Sequence, residues 1–103
     1  MAQYTNITTS PATTTLIDRY SNKGGAMKLI SINNFSDHAD GATVNLFLQN
    51  AAAADFYFFK NVNIPKGASL VLDDPLLLAF DVSIYSLKML STGTSPALTV
   101  IIK

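Results

Sequence analysis

The sequence contains no cysteine, no tryptophan and a single histidine, His38. Without cysteine, disulfides, thiolate metal sites and cysteine nucleophiles are excluded. Small secreted domains often depend on disulfides, so this absence favours a reducing compartment or stabilisation by assembly. A hydrolase triad needs a histidine base, and no catalytic constellation surrounds the only one present. The sequence therefore predicts a protein that is not an enzyme and has no catalytic residue.

Charge is also scarce, with seven basic and seven acidic residues and a net charge of +0. Nucleic-acid binding and attachment to anionic lipid both require concentrated Lys and Arg, so neither partner is expected. A net charge near zero favours self-association instead. The first ten residues are polar and Thr-rich, which predicts no secretion signal, and no apolar run is long enough to span a bilayer.

The sequence does contain short alternating segments separated by turn residues. In Ala42–Gln49, for example, Val44, Leu46 and Leu48 share one face. Such segments at regular spacing predict an all-β protein, a single antiparallel β-sandwich of jelly-roll or Ig-like type with seven to eight short strands. The predicted strands are Tyr4–Thr9, Ala12–Ile17, Met27–Asn34, Ala42–Gln49, Phe56–Ile64, Ser69–Leu72, Asp81–Leu90 and Ala97–Lys103.

The whole chain, residues 1–103, is predicted to be one domain, with residues 1–15 a possible extended N-terminal arm or edge strand. Asp18–Gly25 is expected to be a flexible loop or wide hairpin. Asp40-Gly41 is a hairpin signal, and the alanines before Asp55 are expected to form a loop between two antiparallel strands. Residues expected in the core are Leu46, Leu48, Phe58, Val62, Ile64, Leu70, Leu72, Val100 and Ile102.

Two acidic clusters are candidates for metal sites, and both are better explained as turns. Asp37-His38-Ala39-Asp40 lies in one short polar loop, where an Asx turn at Asp40 is the simpler interpretation. Asp73-Asp74 precedes Pro75 and is expected to form a turn, with Ca²⁺ binding together with Asp81 the weaker alternative. No metal and no cofactor are therefore predicted.

The strongest functional signal is aromatic. If Val44, Leu46 and Leu48 face the core, then Phe47 faces outward. If Phe56, Phe58, Val62 and Ile64 face inward, then Tyr57 and Phe59 also face outward. Pairing of these two strands as a hairpin would unite Phe47, Tyr57 and Phe59 in one patch, which predicts a contact with a partner or another subunit. The alternative is that the N-terminal segment or a loop covers the patch.

From Met27 to Lys103 the order of elements is similar to a known family. An Asn-containing loop after a strand (Ile30–Ser36) is followed by Ala42–Leu48. Next comes an aromatic strand that continues into Asn61-Val62-Asn63-Ile64-Pro65-Lys66-Gly67. The leucine-rich segment Ser69–Leu78 follows it. This order resembles small β-sandwich virion structural proteins of tailed bacteriophages.

The resemblance implies a virion structural component made in the host cytoplasm, for capsid decoration, neck or tail. Among these locations, we favour capsid decoration over neck or tail. It also implies that the partners are other virion proteins and copies of the chain itself, as a homo-oligomer or bound to the particle. A carbohydrate-binding β-sandwich module is the alternative, because such modules use exposed aromatic rings, here beside Asn45, Asn61 and Asn63. An accessory domain of a larger bacterial surface assembly is a third hypothesis.

Overall fold

The computed structural model describes residues 3–19, 27–93 and 96–103, which form eight strands and one short helix. The elements are β1 (Gln3–Ile7), β2 (Ala12–Ile17), β3 (Ile30–Asn34), β4 (Ala42–Gln49), β5 (Asp55–Ile64), β6 (Ser69–Leu72), α1 (Pro75–Leu78), β7 (Ser86–Thr92) and β8 (Leu98–Ile102). Three predicted strands, Ala12–Ile17, Ala42–Gln49 and Ser69–Leu72, have the observed bounds. The predicted loop at Asp18–Gly25 lies mostly outside the described residues.

The strands form two four-stranded antiparallel sheets, in the orders β1-β8-β3-β6 and β2-β7-β4-β5. The first half of the chain pairs with the second half in reverse order: β1 with β8, β2 with β7, β3 with β6 and β4 with β5. Among the strands that the structure describes, only β4 and β5 are consecutive in one sheet; each of the other strands is followed by a strand of the opposite sheet. This is the jelly-roll arrangement of a β-sandwich. The predicted all-β sandwich is confirmed, with eight strands.

The core lies between the two sheets and is built from alternate residues of each strand. In β3, Ile30 and Ile32 face inward opposite Ile102 and Val100 of β8. Of the residues expected in the core, Leu46, Ile64, Val100 and Ile102 are buried. The other five are partly buried and pack against that core: Leu48, Phe58, Val62, Leu70 and Leu72. Strand alternation therefore identified positions that pack in the core. Five of them remain partly open to solvent, four on the edge strands β5 and β6 and Leu48 on β4.

Two predictions about connections are wrong. Asp40-Gly41 does not form a hairpin, because β3 and β4 belong to different sheets and residues 35–41 carry the chain between them. Gly41 supplies a positive φ of 73° at the entry to β4.

The second wrong prediction is the strand Asp81–Leu90, which begins only at Ser86. Residues 81–84 form a turn instead, in which Asp81 Oδ1 accepts hydrogen bonds from the Ser83 hydroxyl (2.6 Å) and from the Ser83 backbone N–H (2.9 Å). Those two bonds lower the pKa of Asp81.

Because consecutive strands run in opposite directions, the connections gather at two ends of the sandwich. One end, called the helix end below, carries residues 50–54, α1 and residues 79–85. The opposite end carries residues 8–11, 35–41 and 65–68. The expected loop between β4 and β5 is confirmed: the side-chain oxygen of Asn50 accepts from the backbone N–H groups of Ala52 and Ala54.

Candidate functional site

The outer face of the β2-β7-β4-β5 sheet carries an aromatic pair. Phe47 of β4 lies opposite Tyr57 of β5 on one side and Lys88 of β7 on the other. The two ring centroids are 5.3 Å apart with an interplanar angle of 48°. Phe47 is only 6% exposed, whereas Tyr57 is 44% exposed. Tyr57 therefore presents the accessible ring, and Phe47 supports it from within the same chain.

Phe59 does not belong to this pair, and the expected three-ring patch does not form. The residue lies opposite Leu46, a fully buried core residue, and packs against the core. The cause is two register shifts between β4 and β5. Val44 pairs with Val62, but Phe47 pairs with Tyr57, so β5 uses more residues than β4 over the same stretch of the ladder. Each shift inserts one extra residue into β5, and each extra residue exchanges the two faces of the strand. One shift lies near Asn61, whose φ is 58°.

Polar groups surround the exposed ring of Tyr57. The ammonium group of Lys60 lies 5.0 Å from its centroid, a distance at which a cation is attracted to the π face. Beside the rings, Lys88 Nζ donates to Gln49 Oε1 at 2.7 Å, and Gln49 Nε2 donates to Asp55 Oδ1 at 2.9 Å. These side chains hydrogen-bond to one another, so this face of the sheet has one exposed aromatic ring beside an ordered polar border.

The expected border of asparagines is only partly available. Asn45 is buried, and its side-chain oxygen accepts a hydrogen bond from the backbone N–H of Asn61. Its amide therefore holds the bulged segment of β5 in place. Asn61 and Asn63 are exposed. Two of the three amides are accessible to a ligand on this side of the molecule.

A second surface, not predicted from the sequence, lies at the helix end. Among the described residues, the exposed large hydrophobic side chains are Tyr4, Phe35, Phe56, Tyr57, Val71, Leu76, Leu77 and Ile84. All except Phe35 lie in the helix-end half of their strands or in the connections at that end. Exposed apolar side chains concentrated in one region are typical of partner surfaces.

The most prominent part of this surface is α1. Asp74 is its N-cap, and Asp74 Oδ1 accepts from the backbone N–H groups of Leu76 (3.0 Å) and Leu77 (3.4 Å). Leu78 is fully buried and anchors the turn, while Leu76 is 92% exposed and Leu77 is 52% exposed. The Asp-Pro pair followed by leucines is a recognisable helix start, so this signal was present in the sequence.

Another exposed ring lies at the same end. Phe56, expected to face inward, lies opposite Leu48 at the start of edge strand β5 and is 51% exposed. Its ring meets that of Tyr85 edge-on, with the centroids 5.8 Å apart. Its position at the end of an edge strand leaves it without a neighbouring strand on one side, and half of the ring remains in contact with water.

Both acidic clusters lie in turns, but the turn in the loop before β4 is made by the side chains of Ser36 and His38 and not by the predicted Asx turn at Asp40. In the loop before β4, the backbone N–H of His38 donates to Ser36 Oγ (3.0 Å), and that of Asp40 donates to His38 Nδ1 (3.3 Å). His38 Nδ1 and Asp40 Oδ2 are 3.7 Å apart. Asp74 caps α1 and Asp81 closes the following turn. Within residues 3–19, 27–93 and 96–103, no group of three metal-ligating side chains converges.

Comparison with known proteins adds no family to these observations. No protein-family model matches the chain, and no curated protein matches it. In the described part of the chain, no helix has the length and apolar character needed to cross a membrane.

Proposed function

We propose that this protein is a non-enzymatic structural component of a tailed-bacteriophage virion, a capsid decoration protein in preference to a neck or tail protein. The observation that carries the proposal is the apolar surface at the helix end, above all Leu76 and Leu77 on a capped turn. Burying the exposed part of such side chains against a partner contributes on the order of 25 cal/mol per Å² of apolar surface.

The architecture supports the same proposal by analogy. Jelly rolls are the fold of many viral capsid domains, but also of lectin and cupin domains, so the fold alone does not select a function. The surface distinguishes these alternatives. A cupin-like metal site needs several converging ligands, whereas the side chains of Asp74 and Asp81 accept hydrogen bonds from the backbone of their own turns.

In the proposed mechanism the sandwich is a rigid body whose helix end docks on a larger particle. The Asp74 cap and the buried Leu78 fix the backbone of the turn that presents Leu76 and Leu77, so little backbone conformational freedom is lost on docking. Repetition of one weak contact over a symmetric particle gives strong attachment through multivalency.

Carbohydrate binding is the second candidate, and the outer face of the β2-β7-β4-β5 sheet favours it. The half-exposed Tyr57 ring offers a stacking surface, and Lys60 and the Gln49–Asp55 pair lie near it. A sugar site requires polar groups that fix the orientation of the ligand beside the ring. The exposed Tyr57 ring lies on the outer face of β5, whereas Leu76 and Leu77 lie on α1, so variants of different residues can distinguish the two functions.

The experiment compares two double variants for incorporation into phage particles and for binding to a polysaccharide panel. Leu76→Ser with Leu77→Ser is expected to fold and to lose incorporation, because both side chains are exposed. The matched change Tyr57→Ser with Lys60→Ser is expected to retain it. Retained incorporation of the leucine variant, or absence of the wild-type chain from purified particles, would reject the docking proposal. Loss of polysaccharide binding only in the Tyr57 variant would establish the sugar-binding candidate.

Mass spectrometry of purified particles gives the location. A copy number that matches the repeated subunits of the capsid shell supports decoration. A copy number that matches a single ring supports neck or tail.

A further inference from the structure

The two lateral sides of the sandwich differ in how their strand edges are protected. On one side, the edge strands are β1 of the first sheet and β2 of the second, joined by residues 8–11. On the other side, the edge strands are β6 and β5, joined by residues 65–68. An unprotected edge presents unpaired backbone N–H and C=O groups that can pair with another strand.

The β5–β6 side carries the features that block such pairing. β5 contains two register shifts and the charged residues Asp55 and Lys60. β6 has only four residues and is followed by Asp73 and Asp74. Bulges, charges and short length are the usual protection of an edge against association.

The β1–β2 side lacks most of this protection. No charged side chain occurs before Asp18, so both edge strands are uncharged. β1 pairs without a register shift along its five residues, and β2 shifts only between Thr15 and Ile17. Among the described residues, β1 pairs only with β8 and β2 only with β7. Two adjacent edges are therefore available for further strand pairing.

The two edges are held together as one surface. Gln3 Nε2 of β1 donates to the carbonyl oxygen of Leu16 in β2 at 2.7 Å, a hydrogen bond between the two sheets. Ile7 of β1 and Leu16 and Ile17 of β2 belong to the same core cluster. The spacing of the two edges is thus fixed by sandwich packing, at roughly 10 Å as for stacked sheets in general.

We infer that this side binds a second copy of the chain, edge to edge about a two-fold axis, extending both sheets across the dimer. A single foreign strand would pair with β1 or β2 but not with both. A second copy carries the same two edges at the same spacing and satisfies both at once. Antiparallel self-pairing is isologous, so each contact occurs twice. In β2 it brings threonines together, with no like charges opposed.

This inference rests on the proposed assembly function and adds to it the partner and the surface. It concerns the β1–β2 side, whereas the proposed docking on a particle concerns the helix end. Sedimentation of the purified chain measures dimer formation without any particle. Failure of the dimer and failure of virion incorporation are therefore separate results.

The test introduces charge into β2. Thr13 and Thr15 are exposed and pair with Leu90 and Lys88 of β7. Thr13→Glu with Thr15→Glu places a carboxylate opposite Lys88 within the chain, which the monomer tolerates, but opposes like charges across the proposed dimer. The expected result is a wild-type dimer and at least a ten-fold higher dissociation constant for the Glu variant. An equimolar mixture with Thr13→Lys, which lies opposite Leu90 and not opposite Lys88, is expected to recover the dimer, because the charges are then complementary.

The matched control adds the same charge to the other side: Asn63→Glu in β5 with Ser69→Glu in β6, both exposed positions. This variant is expected to dimerise like the wild type. Thermal unfolding checks that each variant is folded, and Asn6→Glu in β1 replaces the β2 variant if that one is unfolded. A wild-type chain that stays monomeric at millimolar concentration would overturn the inference. So would an unchanged dimer in the charged β2 or β1 variant, loss of the dimer in the control, or a Glu–Lys mixture that does not recover.

Discussion

The side-chain amide of Asn34, at the end of β3, donates to the carbonyl oxygen of Ile64, at the end of β5, at 2.8 Å across the two sheets. Asn34 is fully buried, and its side-chain oxygen accepts the backbone N–H of Ser36 at 3.0 Å. One side chain thereby joins the sheets and shapes the loop that follows β3. The same residue uses its backbone N–H and C=O to bind Ala68 and Gly67.

Asn34→Ala is expected to lower the free energy of unfolding by about 2–3 kcal/mol, because it leaves the buried Ile64 carbonyl and the Ser36 N–H without their partner. Urea denaturation measures the loss. Asn33→Ala is the matched control: its amide bonds Ala68 O and Ser69 Oγ in a partly solvated position, and a loss below about 1 kcal/mol is expected. Equal losses in the two variants would contradict the inter-sheet role of Asn34.

Removal of the Ser91 hydroxyl, in contrast to removal of the Asn34 amide, is expected to stabilise the protein. This hydroxyl is fully buried in β7 and has no hydrogen-bond partner among the described residues. Ser91→Ala is expected to raise the free energy of unfolding by about 1 kcal/mol, because an unsatisfied buried hydroxyl is removed at little cost in volume. The control is Ser86→Ala in the same strand, whose hydroxyl donates to Gln49 O at 3.3 Å. That control is expected to be neutral or destabilising, and destabilisation by Ser91→Ala would show that the hydroxyl is satisfied.

The register shifts in β5 predict that alanine substitution lowers the free energy of unfolding more at Phe59 than at Tyr57. Phe59→Ala is expected to cost about 2–3 kcal/mol, because Phe59 packs against the core opposite Leu46. Tyr57→Ala is expected to cost about 1 kcal/mol, since its ring is half exposed and contacts mainly Phe47. Chemical denaturation of both variants measures the order. Similarly small losses for both variants would restore the uninterrupted alternation that the sequence suggested, in which Tyr57 and Phe59 both face outward.

Two glycines with similar backbone conformations allow the stability cost of a positive φ to be measured separately from the cost of a steric clash. Gly41 and Gly67 have φ values of 73° and 76°. A Cβ at Gly41 would lie 2.8 Å from Asn63 Oδ1 and 2.9 Å from Ile64 O, whereas one at Gly67 would have no atom within 4 Å. Gly67→Ala is expected to cost about 1 kcal/mol from the positive φ alone. Gly41→Ala is expected to cost at least about 1 kcal/mol more by thermal or urea unfolding, and equal costs would contradict the close approach to Ile64.

The sequence by itself determined the all-β class and the bounds of several strands. Alternation along Ala42–Gln49 and Ser69–Leu72 is a local property, and the structure has a strand with the same bounds at each segment. The paired strands β4 and β5 were also predictable, because a short loop leaves two consecutive strands little choice but to pair. The placement of Phe47 and Tyr57 side by side follows from that hairpin.

Tertiary structure decided the strand order, the face of Phe59 and the role of Asp40-Gly41. A turn signal reports that the chain changes direction, but it does not say whether the next strand joins the same sheet or the opposite one. In the same way, an extra residue in β5 is accommodated only when β4 lies beside it and Asn45 binds the backbone of Asn61. Strands that are distant in the sequence decide between these alternatives when they pair. The hydrogen bonds and buried surface that stabilise the observed pairing exist only in the assembled sandwich.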